Sequence, residues 1–267
     1  MKKIGMLLLI IGIIGSIMTA KDYFSFATME GEQTISSSDI NRVAIDSEVA
    51  NIHIKLSEND DIKVEWNGKI RESTNQDDMI DVTNKLGTLQ VDIGKKKNNW
   101  FRFSWNDWGF HRLYVDVYLP KKQYEQLQIE NNVGRVTVSS IQVQQLHAIT
   151  DVASLHINDT ETESLTVKTD VGSVNLRDVT GTQKVQTDVG SIDVQSASIT
   201  NHLDLKSNVG SIKLILSQPP DHASIYANSE VGRINIFGEK GNYISSNEKY
   251  EVQIQTEVGS IEVNDRY

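Results

Sequence analysis

Asp151, Asp170 and Asp188 stand at one place in three copies of a short motif, TDVASLHI, TDVGSVNL and TDVGSIDV. If the copies stack in register, these carboxylates lie about 4.8 Å apart. Like charges at that spacing destabilise one another unless water or a cation screens them. Calcium takes several oxygen ligands and is the cation such a row would suit. The Gly-Gly-x-Gly-x-Asp nonapeptide of calcium-binding repeats is absent, so a solvated row without metal is the expectation.

A second group of residues could recognise rather than react. The stretch GKKKNNWFRFSWNDWGFHR, residues 94–112, carries five Lys and Arg against Asp107, a formal charge of +4. Lys95, Lys96 and Lys97 precede Trp100, Phe101, Trp105 and Trp108. Tryptophan favours bilayer interfaces and lysine is drawn to anionic lipid, so these seven residues are the candidate contact with a membrane, an envelope protein or a wall polymer. The other use of such a stretch is to cover an open end of the core.

Catalytic patterns are missing. The six histidines, His53, His111, His147, His156, His202 and His222, show no HExxH or similar pairing. No nucleophile elbow, phosphate loop or dinucleotide fingerprint occurs. The expectation is a non-enzymatic protein with no cofactor.

The elements that must position these groups are repeats. Nine copies share one motif, anchored at Val49, Leu86, Val133, Val152, Val171, Val189, Val209, Val231 and Val258. Around each anchor, apolar and polar residues alternate with period two, the pattern of strands with one buried face. Between the arms sits a corner of a polar residue, then Val and Gly. From Val133 to Val231 the anchors are 19, 19, 18, 20 and 22 residues apart. That is too short for a strand-helix-strand unit and suits one coil of a solenoid. The fold class expected is all-β, a single β-solenoid or β-helix of about 19-residue repeats over residues 41–267, preceded by an N-terminal transmembrane helix. Val133, Val152, Val171, Val189, Val209 and Val231 are expected to stack as one internal column.

The N-terminus reads as a membrane segment. Lys2 and Lys3 precede an uncharged run from Ile4 to Ala20, just long enough to span a bilayer. Residues 1–21 are therefore expected to be a single-pass anchor, with a cleaved signal peptide as the alternative. The positive charges place the remainder outside the cytoplasm, and residues 22–40 read as a tether. The chain has a net charge of −10, and residues 122–267 alone carry 11 Lys and Arg against 19 Asp and Glu. That balance argues against nucleic acid as a partner. The chain has no cysteine, which excludes disulfides, thiolate metal sites and a lipoprotein anchor.

The stretch YVDVYLPKKQYEQLQIENNVGRVTV, followed by LTVKTDVGSVNL and VQTDVGSIDV, resembles the bacterial adhesin-like family of β-solenoid domains of unknown function. With its short N-terminal anchor the chain is similar to the LiaG-like members of cell-envelope stress operons. That resemblance covers roughly residues 40–267 and implies a membrane-anchored, extracytoplasmic binding or scaffold protein of the bacterial cell membrane. It brings no catalytic residues. A surface adhesin is the alternative, and a polysaccharide-acting β-helix enzyme the remoter one.

Overall fold

The computed structural model describes residues 26–71, 79–94 and 110–265. These residues form eighteen strands and no helix: β1 (Phe26–Ile35), β2 (Arg42–Val49), β3 (Asn51–Leu56), β4 (Ile62–Arg71), β5 (Ile80–Lys85), β6 (Thr88–Ile93), β7 (Phe110–Leu119), β8 (Gln123–Ser139), β9 (Gln142–Val171), β10 (Val174–Val179), β11 (Thr182–Val189), β12 (Ile192–Ser196), β13 (Leu203–Val209), β14 (Ile212–Leu216), β15 (Ala223–Val231), β16 (Ile234–Ile236), β17 (Tyr250–Val258) and β18 (Ile261–Asn264).

The period-two arms fold as their patterning requires. In β11, Gln183, Val185 and Thr187 are buried while Lys184 points out. Arms of neighbouring coils then pair in parallel and in register: Val133 with Val152, Val171 with Val189, and Val189 with Val209. First arms build one face of the stack and second arms the other. Between them lies a continuous core that includes Ile45, Ile129, Val167, Val185, Leu205 and Ile254, all almost fully buried. Each such side chain contributes about 1.5–3 kcal/mol relative to exposure.

The anchor valines form a column, but it faces outward. Val152, Val171, Val189, Val209, Val231 and Val258 are half exposed, which corrects the expectation of an internal column. The pleat changes phase at the corner. Thr169 turns inward, Asp170 and Val171 both turn outward, and Val174 turns inward again. The pairing of residues skips Asp170 and Asp188, so each coil carries a bulge there. The inward place belongs to a small polar residue: Thr150, Thr169, Thr187, Ser207 and Thr256 are all buried. Ser207 donates its hydroxyl to the Gly190 carbonyl at 2.9 Å, and Thr256 to the Gly210 carbonyl at 2.9 Å.

Glycine follows most of the corner valines, with Ala50 and Ala153 the exceptions, because the corners stack backbone on backbone. The Gly172 amide donates to the Val189 carbonyl at 2.9 Å. A Cβ on Gly172 would lie 1.7 Å from the Ala153 carbonyl oxygen, so no larger residue fits.

The coils do not follow one another in chain order at the C-terminal end. Leu203 of β13 pairs with Val252 of β17, and Val252 pairs with Ile225 of β15. The last coil, β17 and β18, is thus intercalated between the coil of β13–β14 and that of β15–β16. Gly210 and Gly259 carry the corner ladder through it, donating to Val258 at 2.9 Å and to Val231 at 3.0 Å. The link from residue 237 to 249 then crosses the outer edge of β15, where Tyr243 and Ile225 exchange hydrogen bonds of 3.0 and 2.7 Å. Phe237 and Tyr243 meet edge to face, with ring centroids 5.3 Å apart, and pack against the core.

The N-terminal end is closed by hairpins. Lys85 pairs with Thr88 across Leu86 and Gly87, whose φ values of 52° and 80° make a tight turn. NKLGTLQV is therefore a hairpin and not a coil corner, and Leu86 is 97% exposed. β6 pairs in parallel with β2, while β7, β4 and β1 extend the opposite face as antiparallel neighbours. Trp66 packs over Met29, Ile70 and Met79 at this end. Residues 26–35, expected within a tether, instead pair along all of β4 as β1. The segment expected to span the membrane, Ile4–Ala20, lies outside the described residues. Among the described residues no helix is long and apolar enough to cross a membrane.

Candidate functional site

Repetition turns the corner into a ridge. Its central row is Val49, Val133, Val152, Val171, Val189, Val209, Val258 and Val231 in spatial order, and the last six are 45–65% exposed. On one side runs the row that precedes each valine: Glu48, Asn132, Asp151, Asp170, Asp188, Asn208, Glu257 and Glu230. On the other side runs the row that follows the glycine: Arg135, Ser154, Ser173, Ser191, Ser211, Ser260 and Arg233. The three aspartates therefore stand in line, as the motif spacing requires. Repulsion is relieved at intervals, because the Asn208 amide donates to Asp188 at 3.1 Å and the Asn132 amide to Glu48 at 3.0 Å. Among the described residues, no three His, Cys, Asp or Glu side chains converge as metal ligands.

A second polar surface covers the outer face of β3, β7 and β4. Lys63 bridges Glu32 at 2.8 Å and Glu65 at 2.6 Å. The Tyr118 hydroxyl donates to Glu65 at 2.9 Å. Lys55 donates to Asp116 at 3.0 Å and lies over the Tyr118 ring, 4.3 Å from its centroid. His53 Nδ1 stands 3.8 Å from Asp116.

The charges shift one another as this geometry dictates. The Lys63 contact, then the Tyr118 hydroxyl, holds the Glu65 carboxyl below its ordinary range. Burial works against the Lys55 ammonium, but Asp116 and Tyr118 outweigh it and hold Lys55 above its usual value. Burial, with Lys55 adding to it, holds His53 below 6.5 against the pull of Asp116. His156, two strands away, is also held low by burial and then by Arg135. Lys55 and Lys63 each already have an anionic partner.

This face escapes a motif search because its residues come from four strands. Its signal is the polar half of each alternation: His53 and Lys55 in NIHIKL, Asp116 and Tyr118 in YVDVYL, Lys63 and Glu65 in IKVEW. The antiparallel placing of β4 beside β7 brings Glu65 opposite Asp116.

Lys95, Lys96, Lys97, Trp100, Phe101, Trp105 and Trp108 lie outside the described residues. The points where their segment leaves and rejoins the fold are described. β6 ends at Ile93 opposite Ile80, and β7 begins at Phe110 opposite Ile70. Ile70 also pairs with Ala27 on its other side. The start of β1 and the start of β7 therefore flank one residue of β4, about 10 Å apart across two strand spacings.

One hollow of about 220 Å³ lies between Leu56, Pro120, Lys122, Tyr124, Gln142 and Glu161. That is below the roughly 300–1,000 Å³ of ordinary small-molecule sites.

The family model described as Toastrack DUF4097 matches residues 40–265. No curated protein matches the sequence. Solved structures give weak likenesses. A candidate cell adhesion protein from Clostridium sporogenes is 17% identical, covering 89% of this chain and 99% of its own, with a TM-score of 0.40. A candidate adhesin from Bacteroides fragilis is 16% identical over 90% of this chain and 97% of its own, with a TM-score of 0.46. A candidate lipid binding protein from Parabacteroides distasonis is 10% identical over 90% and 95%, with a TM-score of 0.34.

Proposed function

Because the chain belongs to the Toastrack DUF4097 family, and its matched span takes in nearly the whole coil stack, we propose that it is a binding scaffold. In this reading a bacterial membrane holds it by the N-terminal segment, with the solenoid outside the cytoplasm. The observation that carries the reading is the shared edge of β4. Ala27, which follows the apolar segment by six residues, and Phe110, which closes the basic-aromatic insertion, pair with the same Ile70. An anchor at Ile4–Ala20 holds this corner of the molecule against the bilayer. In this reading Lys95, Lys96, Lys97, Trp100, Phe101, Trp105 and Trp108 are the residues that meet the same surface. Each basic group near anionic lipid contributes about 1 kcal/mol, and the tryptophans suit the interface.

Binding rather than catalysis fits the exterior. The charged face of β3, β7 and β4 has its groups engaged with one another, and among the described residues no large cleft sets an acid opposite a base. The ligands that suit a solenoid so placed are an envelope protein, lipid or wall polymer. A part in the cell-envelope stress response belongs to the same reading.

The test uses the full chain. Protease added to intact protoplasts should remove the solenoid, and protection of residues beyond 40 would refute the orientation. Recovery of a chain beginning at Lys21 would show that the segment is cleaved. In vesicles of brominated anionic lipid, tryptophan fluorescence should be quenched, and less so after Lys95, Lys96 and Lys97 are replaced by Glu. Equal quenching in both chains rules out the lipid contact.

A further inference from the structure

The corner ridge is self-complementary, and we infer that it is a seam for a second copy of this chain. Five coils present a carboxylate, a valine and a donor in the order Asp188, Val189, Ser191, or Glu230, Val231, Arg233. A twofold axis parallel to the stack lays one ridge on another with coils at equal heights. Valine then meets valine. The carboxylate row of each copy faces the hydroxyl and guanidinium row of the other: Asp188 opposite Ser191, Asp170 opposite Ser173, Glu257 opposite Ser260, Glu230 opposite Arg233. Carboxylates accept hydrogen bonds from both donor types, and the Arg pair is the stronger.

The opposite arrangement is excluded by charge. An axis perpendicular to the stack would set the acidic row of one copy against that of the other, with six carboxylates on each side: Glu48, Asp151, Asp170, Asp188, Glu230 and Glu257. Like charges juxtaposed across an interface select strongly against it. The seam is thus directional, and both copies present their N-terminal ends on the same side.

Its size sets its strength. Eight coil heights span about 34 Å, and a ridge about 10 Å wide covers far less than the roughly 800 Å² per partner of a standard interface. The dimer is weak in free solution and strengthened where two copies share a surface. That last step rests on the membrane reading above; the seam itself rests only on the ridge.

The chain has no cysteine, so engineered ones report cleanly. The full chain in detergent, carrying Val171→Cys or Val189→Cys, should form disulfide dimers on mild oxidation. Lys213→Cys, on the outer face of β14, should stay monomeric. A mixture of Val152→Cys and Val231→Cys chains should give each homodimer and no mixed product. Adding Val189→Glu, with the fold checked by circular dichroism, should abolish cross-linking through Val171→Cys. Absent dimers at Val171 and Val189, equal dimers at Lys213, a prevailing mixed product, or cross-linking that survives Val189→Glu would each overturn the seam. The detergent measurement needs no membrane, so a failure of the anchoring reading leaves its outcome interpretable.

Discussion

Gly190 rests on the backbone of Gly172: a Cβ at Gly190 would lie 1.6 Å from the Gly172 carbonyl oxygen. No side-chain rotation relieves that contact, because both partners are main chain. Gly190→Ala is expected to destabilise by about 3 kcal/mol or more, as steric strain in a packed interior does. Gly238, which has nothing within 4 Å of its Cβ position but a φ of 90°, should cost about 1 kcal/mol when replaced by Ala. Urea melts of the two variants check this, and equal losses would contradict the stacked corner.

Neighbouring positions on the same arm should respond oppositely to charge. Val171→Asp places a carboxylate in water and is expected to change stability by about 0.5 kcal/mol or less. Val167→Asp buries one in the core and should abolish folding or cost several kcal/mol, roughly 4 or more. Thermal melts of the pair decide which face of the coil the anchor valine occupies.

The inward hydroxyls divide into two classes. Thr256 donates to a carbonyl, whereas the Thr187 hydroxyl is buried without a partner. Thr256→Val should cost about 1 kcal/mol, and Thr187→Val should be neutral or stabilising. Equal costs, measured by denaturant midpoint, would show that the ladder acts as one unit.

His53 and His156 are both held below their ordinary 6.5, chiefly by burial. The unfolded chain therefore takes up protons first on acidification. Stability is complete above about pH 6.5 and declines as the pH falls below it toward the folded values. The double replacement by Gln should flatten the fall in Tm between about pH 7 and pH 5. An unchanged slope would assign that fall to other groups.

Removal of residues 250–267 should unfold more than those residues. It strips both β13 and β15 of a parallel partner at once. Amide exchange should accelerate across 203–236, and persistence of native protection there would show that β15 re-pairs directly with β13.

Much of this fold can be read from the chain. The arms of β11, β13 and β17 obey period two because one face is buried, and their spacing gives the coil. The corner misleads because alternation counted through Thr169, Asp170 and Val171 hides a bulge, so the valine ridge looks like core. Leu86-Gly87 copies the corner's residue types but lies between strands that pair with each other. The order of the last coils is also hidden, since Val209 accepts the motif of Val231 or Val258 equally well in sequence. The charged face around Asp116 depends on which strands neighbour β7, and that is decided by the hairpins at residues 62–119. The basic-aromatic candidates lie outside the described residues, and only their flanking strands speak to them.

The intercalated coil of β17 and β18 makes the joining of β13 to β15 depend on residues that are synthesised after both. A chain emerging from N- to C-terminus can lay each coil from β8 to β14 on the one before. Residues 250–264 must then enter a gap bounded by segments already synthesised. A product cut short before residue 250 therefore lacks the wedge that joins β13 to β15, and it presents two unpaired strand edges to proteases.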